Sequence, residues 1–266
     1  MIKNVIVTGG SKGIGKAIAL KFASYKGHII VISNDSDDSV IQEIENKGAT
    51  GTFIHSGMSD LRTIEKSLQG LDKLDILVNN TSATYFKNIL ELEVADFDKM
   101  IETSVRSAIF MAKLAHPYLI KSLNPHIINI SPPLDLREKW FKDFSPFTIA
   151  KYSMSLSTLA LSSEFKDISV NSLWPKTPIA TQTIKNHFMN EVFEASRWPG
   201  IMADSTAVLS EKTNYTGHFC LDEDLLLESG VSDFSKYAVN QEHTLMQSLF
   251  VPDFPHLTPI KKEYFL

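Results

Sequence analysis

TGGSKGIG, residues Thr8 to Gly15, follows the β-branched run Val5, Ile6, Val7 and precedes apolar residues at helical spacing. A short strand, a glycine-rich turn and a helix make a cradle for nucleotide phosphates, because the helix N-terminus offers unpaired N–H groups to an anion. Gly9 and Gly10 permit turn dihedrals and a close backbone approach. Gly13 keeps side chains away from a pyrophosphate, and Gly15 lets the helix pack tightly on its strand. Glycines alone would signal only a turn; the strand before and the helix after make the nucleotide reading the stronger one.

Working outward, Ile14, Ala17, Ile18, Phe22 and Ala23 recur at helical spacing up to Gly27, which suits the residue just past a helix end. His28 to Ile32 (HIIVI) has the continuous apolar character of a strand buried in a parallel sheet. Roughly 20 residues past the last glycine of such a fold, a side chain meets the adenosine ribose, which here means Asn34 or Asp35. A carboxylate there would hold the ribose hydroxyls of NAD, whereas Ser33 and Asn34 with cationic Lys12 would accept the 2′-phosphate of NADP. The balance of these residues leans to NADP.

The alternation continues with helices over 38–47 and 59–68, strands over 50–54 and 75–78, and a long helix over 96–121 in which Pro117 predicts a kink or an early end. Further strands are expected at 126–130, 168–173 and 217–221, with a helix over 147–164. Strands alternating with helices imply a doubly wound parallel sheet of about seven strands, a single-domain Rossmann-type α/β fold with its ligand at the strands' carboxyl ends. Between 178 and 200 the apolar His187, Phe188, Met189, Phe193 and Trp198 could lie over that ligand as a lid, which would suit an apolar carbonyl substrate, or serve as ordinary core.

Composition limits the alternatives. The chain has 266 residues, 43% of them hydrophobic, and a net charge of -5. The charge argues against nucleic acid as a partner. Cys220 is the sole cysteine, so no intrachain disulfide is expected, and the first strand begins so near Met1 that a leader peptide is not expected either. No apolar run approaches the ~18 to 20 residues that cross a bilayer. The expected location is the cytoplasm. Eight histidines show no HxxxH or HExxH spacing, so no metal site is expected.

Taken together, TGGSKGIG, Asn79 and Asn80 after the fourth strand, Ser131 after the fifth, Lys151, and Pro175 after the sixth resemble the short-chain dehydrogenase/reductase family over about residues 1 to 222. The runs NISPPLDL, FTIAKYSMS and VNSLWPKTPIAT resemble more narrowly its hydroxysteroid-dehydrogenase-like branch. Longer members of that branch carry a sterol-carrier domain, which is not expected here; residues 223–266 are expected to wrap the domain or a partner subunit. The resemblance implies hydride transfer between a nicotinamide dinucleotide and a carbonyl or alcohol. It implies cofactor contacts at Thr8, Gly9, Ser11, Lys12, Gly13, Ile14, Gly15, Asn34, Asn79, Lys151, Pro175, Ile179 and Thr181, and a homodimer or homotetramer built through two long helices.

In that family a tyrosine is the acid/base, a lysine four residues later lowers its pKa and grips the nicotinamide ribose, a serine polarises the carbonyl, and an asparagine holds a relay water. The resemblance assigns the serine to Ser131 and the lysine to Lys151. Phe147 stands at the tyrosine position, Ser104 at the asparagine position, and Gly57 where an adenine-binding aspartate is usual. Tyr152 is no substitute, since five residues along a helix is about 500° of rotation. Tyr85, on the loop after Asn79 and Asn80, is the candidate spare hydroxyl, or else a packing residue. The expected function is therefore an NAD(P)-binding oxidoreductase of weakened activity, with a catalytically inactive nucleotide-binding sensor, scaffold or oligomer partner as the alternative.

Overall fold

The computed structural model describes residues 2–266. Seven parallel strands form one sheet: β1 (Val5–Thr8), β2 (His28–Ser33), β3 (Thr50–His55), β4 (Ile76–Asn79), β5 (His126–Asn129), β6 (Ser169–Trp174) and β7 (Phe219–Leu221), in the order β3-β2-β1-β4-β5-β6-β7. The order reverses beside β1, which opens a crevice at the strands' carboxyl ends where ligands of such sheets bind. The helices are α1 (Gly13–Ala23), α2 (Val40–Asn46), α3 (Leu61–Leu68), α4 (Val94–Ile101), α5 (Ser107–Leu119), α6 (Ser145–Glu164), α7 (Gln182–His187), α8 (Asn190–Glu194), α9 (Gly200–Leu209) and α10 (Asp222–Glu228).

Side chains alternate across each strand, so a continuous apolar run feeds two cores. Val5, Val7, Ile29 and Val31 face α1, α2 and α9 through Ile18, Phe22, Ile44 and Ile201. Ile6, Ile30, Leu77 and Ile127 face α3 and α5 through Ile64, Leu68, Met111 and Leu119.

Two local expectations are corrected. Gly27 is not a left-handed helix terminator: Lys26 takes the positive φ of 58°, and Gly27 is needed because a Cβ there would sit 1.7 Å from the Lys3 carbonyl oxygen. The break in the long helix is also not at Pro117, which lies in the last turns of α5. It is a π-helical turn at Glu102–Arg106, joining α4 to α5. Widened turns of this kind cluster at functional sites.

After α10 the chain runs back across the domain. A two-stranded ribbon, β8 (Met246–Gln247) with β9 (Thr258–Pro259), lies in this stretch, and Phe265 bridges to Phe188 beside α7. Phe250 is fully buried at a φ of 67°, a conformation that costs on the order of 1–3 kcal/mol outside glycine. Rings of Trp140, Phe144, Phe147, Tyr152 and Trp174 lie 5.4–6.1 Å from its own, and this burial offsets the strain. Among the described residues no helix is long and apolar enough to cross a membrane, and no cluster of three or more potential metal ligands occurs.

Candidate active site

A cleft of about 460 Å³ opens at the carboxyl ends of the strands, running from the glycine loop to the first turns of α6. At one end lie Gly9, Ser11, Lys12, Gly13 and Ile14. Gly9 and Gly13 take φ of 64° and 57°, the left-handed region that glycine enters freely. Gly15 lies behind the wall, where a Cβ would meet the Gly9 carbonyl oxygen at 2.3 Å. No side chain caps α1 and no acid occupies its first turn, so its N-terminal N–H groups are left to an anion. These features fit a dinucleotide diphosphate.

At the rim, Asn34 and Asp35 follow β2 and both line the cleft. The Asp35 carboxylate accepts from the Ser11 hydroxyl at 2.5 Å and from Lys12 Nζ at 3.0 Å. The Ser11 hydrogen bond, then that from Lys12, holds its carboxyl below the usual range. Lys12 is therefore already engaged. Gly57 lines the same end with open space above it, its nearest neighbour to a Cβ being Ser59 Oγ at 3.5 Å.

At the other end α6 supplies Phe147 and Lys151, one helical turn apart and each 5% exposed. Lys151 Nζ donates to the Ile130 carbonyl at 3.2 Å and lies 5.2 Å from the centre of the Trp174 ring. Burial pulls its pKa down to about 8. The Phe147 ring packs edge-on to Phe86 at 4.8 Å and carries no proton to give. Phe188, Ile184, Trp174 and Leu249 complete an apolar wall.

Several residues expected in the site lie outside the cleft wall. Ser131 is fully buried, its hydroxyl bonded to that of Ser172 at 2.7 Å, and it does not line the cleft. Ser104 is fully buried in the π-helical turn, 3.4 Å from the Ser82 hydroxyl, and it is Ser82 that lines the cleft. Thr8 Oγ1 accepts the N–H groups of Asn80 and Thr81 at 3.0 and 3.1 Å, tying β1 to the turn after β4, and Thr8 does not line the cleft. Asn79 turns inward, with Nδ2 on Asn129 Oδ1 at 2.9 Å; its neighbour Asn80 lines the cleft. Tyr85 is half-buried and off the wall, where Phe86 takes its place. Tyr152 donates to the Asp135 carbonyl at 2.6 Å, and burial pushes its phenol up to about 12.

Pro175, Ile179 and Thr181 do line the cleft, followed by Gln182 and Ile184 of α7. Of the five lid residues only Phe188 reaches it; Met189 and Trp198 are 41% and 45% exposed. Sequence reasoning missed Ser248 and Leu249, which line the cleft from the C-terminal stretch. The one signal for them was the density of Phe and Pro after residue 222.

The profile of the short chain dehydrogenase family matches residues 3–191. The chain is 37% identical to hydroxysteroid dehydrogenase-like protein 2 of Danio rerio over 94% of its own length, and spans 64% of that relative. A solved short-chain dehydrogenase from Mycobacterium thermoresistibile superposes with a TM-score of 0.87 at 31% identity, covering 98% of each chain. A putative dehydrogenase from Xanthomonas campestris superposes with a TM-score of 0.88 at 29% identity, covering 95% of this chain and 98% of the other. With its glycine cradle and its sheet topology in that family's pattern, this chain belongs to the short-chain dehydrogenase family of NAD(P)-binding oxidoreductases.

Proposed function

We propose that this chain binds a nicotinamide dinucleotide tightly and interconverts an apolar carbonyl and its alcohol slowly, because the turn that should deliver the proton carries a phenyl ring. The observation that carries this reading is the pairing of an intact cradle with Phe147 beside a buried Lys151. When bound, the nicotinamide supplies or accepts the hydride. The glycine loop and the open N-terminus of α1 hold the diphosphate, Lys151 Nζ grips the ribose, and Ile179 and Thr181 cover the nicotinamide end. Phe86, Phe147, Phe188 and Leu249 exclude water from the reacting carbon.

The fate of two candidate hydroxyls, Ser131 and Tyr152, supports the alternative of binding with no turnover. Ser131 is spent on Ser172 and Tyr152 on Asp135, so neither is free to replace the missing phenol. General acid/base catalysis typically contributes ~10²- to 10⁴-fold, and that is the factor at stake.

For the choice of dinucleotide, the Asp35–Lys12 pair outweighs the sequence-level lean to NADP. A ribose 2′-hydroxyl can donate to Asp35, whereas a 2′-phosphate must displace Asp35 from Lys12 and meet like charge. Fluorescence titration of the full chain is expected to give tighter binding of NADH than of NADPH. Asp35→Asn should move the ratio toward NADPH on the order of 10-fold, about 1.4 kcal/mol. An unchanged ratio refutes the role of Asp35, and failure of both nucleotides refutes the binding function.

Self-association through α5 and α6 is part of the same reading. It is supported by the exposed Ile109 and Phe110 on α5 and Leu156 and Leu159 on α6. Light scattering is expected to give a dimer or tetramer; a monomer at micromolar concentration counts against it.

A further inference from the structure

We propose that Lys151 is also a nucleophilic amine, capturing apolar aldehydes as a reversible imine in the cleft when no dinucleotide is held. The geometry distinguishes it from the other buried lysine of this region. Lys176 is equally buried, but its Nζ is paired with Glu223 at 2.8 Å and Asp224 at 3.3 Å and stays a charged structural group. Lys151 faces no carboxylate among the described residues: its contacts are one carbonyl oxygen and one indole face. It opens onto a cleft walled by Phe86, Phe147, Phe188 and Leu249.

A desolvated amine in an apolar pocket is the arrangement that activates lysine as a nucleophile. With a pKa near 8, against ~10.4 for a lysine in water, a sizeable fraction is unprotonated at pH 7.5. Phe147 matters here too. A phenol at that position would compete for the amine by hydrogen bonding, and a phenyl ring leaves it free.

The step balances without any redox partner. The Nζ lone pair attacks the carbonyl carbon, the C–N bond forms, and the carbonyl π pair moves to oxygen, which takes a proton from the nitrogen. The carbinolamine then loses that hydroxyl, with a further proton from nitrogen, as one water, leaving Lys–N=CH–R. Water entering the cleft reverses it.

The inference needs the cleft and not the cofactor, so it can fail separately from the proposed oxidoreductase function. The full chain, free of nucleotide, is incubated with hexanal or cinnamaldehyde and sodium cyanoborohydride, and alkylation of each lysine is followed by peptide mass spectrometry. The exposed Lys47 and Lys166 serve as internal references. At pH 7.5 Lys151 is expected to be labelled about 10- to 100-fold faster than these, its neutral fraction being about 200-fold larger and its lower basicity offsetting part of that. In a second series with trace acetic anhydride, which acylates neutral amines directly, its rate should level off above pH 8, whereas labelling of an amine in water still climbs at pH 10. Labelling no faster than the references, or a rate still climbing at pH 10, overturns the proposal. Lys151→Arg should remove the fast site; if that variant does not fold, the wild-type pH profile decides alone. Saturating NADH should suppress the fast labelling at least 10-fold. Fast labelling that NADH leaves untouched overturns the restriction of capture to the nucleotide-free cleft and counts against the contact of Lys151 with the ribose.

Discussion

Phe147→Tyr is expected to raise kcat/KM for NADH-dependent carbonyl reduction by about 10²-fold or more, the lower end of what a positioned general acid supplies. The position is already prepared. Residue 147 lies on the cleft wall one helical turn before Lys151, whose charge would favour the phenolate and bring a tyrosine pKa toward the working range. The apolar wall of Phe86 and Phe188 excludes water around the new hydroxyl. The gain should appear in kcat with KM little changed, since the hydroxyl acts in the transition state. It should vanish in the Phe147→Tyr/Lys151→Met double variant. Nucleotide affinity, read separately by fluorescence, should be the same in wild type and Phe147→Tyr. A change under 3-fold across a panel of aldehydes and ketones, or a wild type already turning over at the ~10 s⁻¹ of an ordinary enzyme, would remove the case for lost proton supply.

That prediction rests on a feature the sequence states outright, since an i,i+4 spacing on a long helix fixes both side chains on one face. The glycine cradle and the alternation of strands and helices were legible on local grounds too: Gly9, Gly13 and Gly15 are local backbone requirements, and HIIVI (28–32) has the continuous apolar character of a strand buried in a parallel sheet. What failed was the direction of single side chains at strand ends. Adjacent residues there point to opposite faces, so Asn79 goes inward to Asn129 while Asn80 takes the cleft. Ser131 likewise turns to Ser172, a partner in β6 that no local pattern announces. Asp35 was seen as a candidate ribose ligand, but its hold on Ser11 and Lys12 depends on β1 and β2 lying side by side.

The C-terminal stretch was the least legible part, because its role is carried by contacts of long sequence separation. Phe250 fills the space behind Phe147 from a hundred residues away, and this insertion sets Ser248 and Leu249 on the cleft wall. That end of the cleft is thus part α6, part α7 and part tail.

The tail and the cleft meet at a buried ionic knot, where the second large effect is expected. The Glu223 carboxylate spans Lys176 Nζ at 2.8 Å and Arg197 Nη1 at 2.6 Å, the latter an ion contact without hydrogen-bond alignment. Burial pushes the Glu223 carboxyl up, but the hydrogen bond from Lys176 and the charge of Arg197 outweigh it and hold it low. Asp222, fully buried beside it, accepts the N–H groups of Lys176 and Glu223 and is pushed by burial up to about 6. Lys176 in turn accepts the Ser248 N–H at its carbonyl and lies under the Phe254 ring. One carboxylate therefore fastens together the segment after β6, the approach to α9, the start of α10 and the tail. Glu223→Ala leaves two cations, each 5% exposed, without their common partner. Breaking a buried pair in this way costs about 3–5 kcal/mol, and Asp224, half-exposed on Lys176, offsets little of it. Thermal unfolding should fall by roughly 10 °C, and NADH affinity should fall with it, because Pro175 to Thr181 would lose their anchor. Acidity should act in two opposed ways. The low Glu223 pKa contributes stability that is present above its ordinary value of 4.5 and lost as pH falls through the folded one. The raised Asp222 pKa contributes stability that is full below 3.8 and lost as pH rises through about 6. Asp222→Asn should therefore remove the loss between pH 4 and 6 while keeping the fall at lower pH. A Glu223→Ala variant melting within 2 °C of wild type, with unchanged NADH binding, would show that the cations reach water and that the knot holds nothing in place.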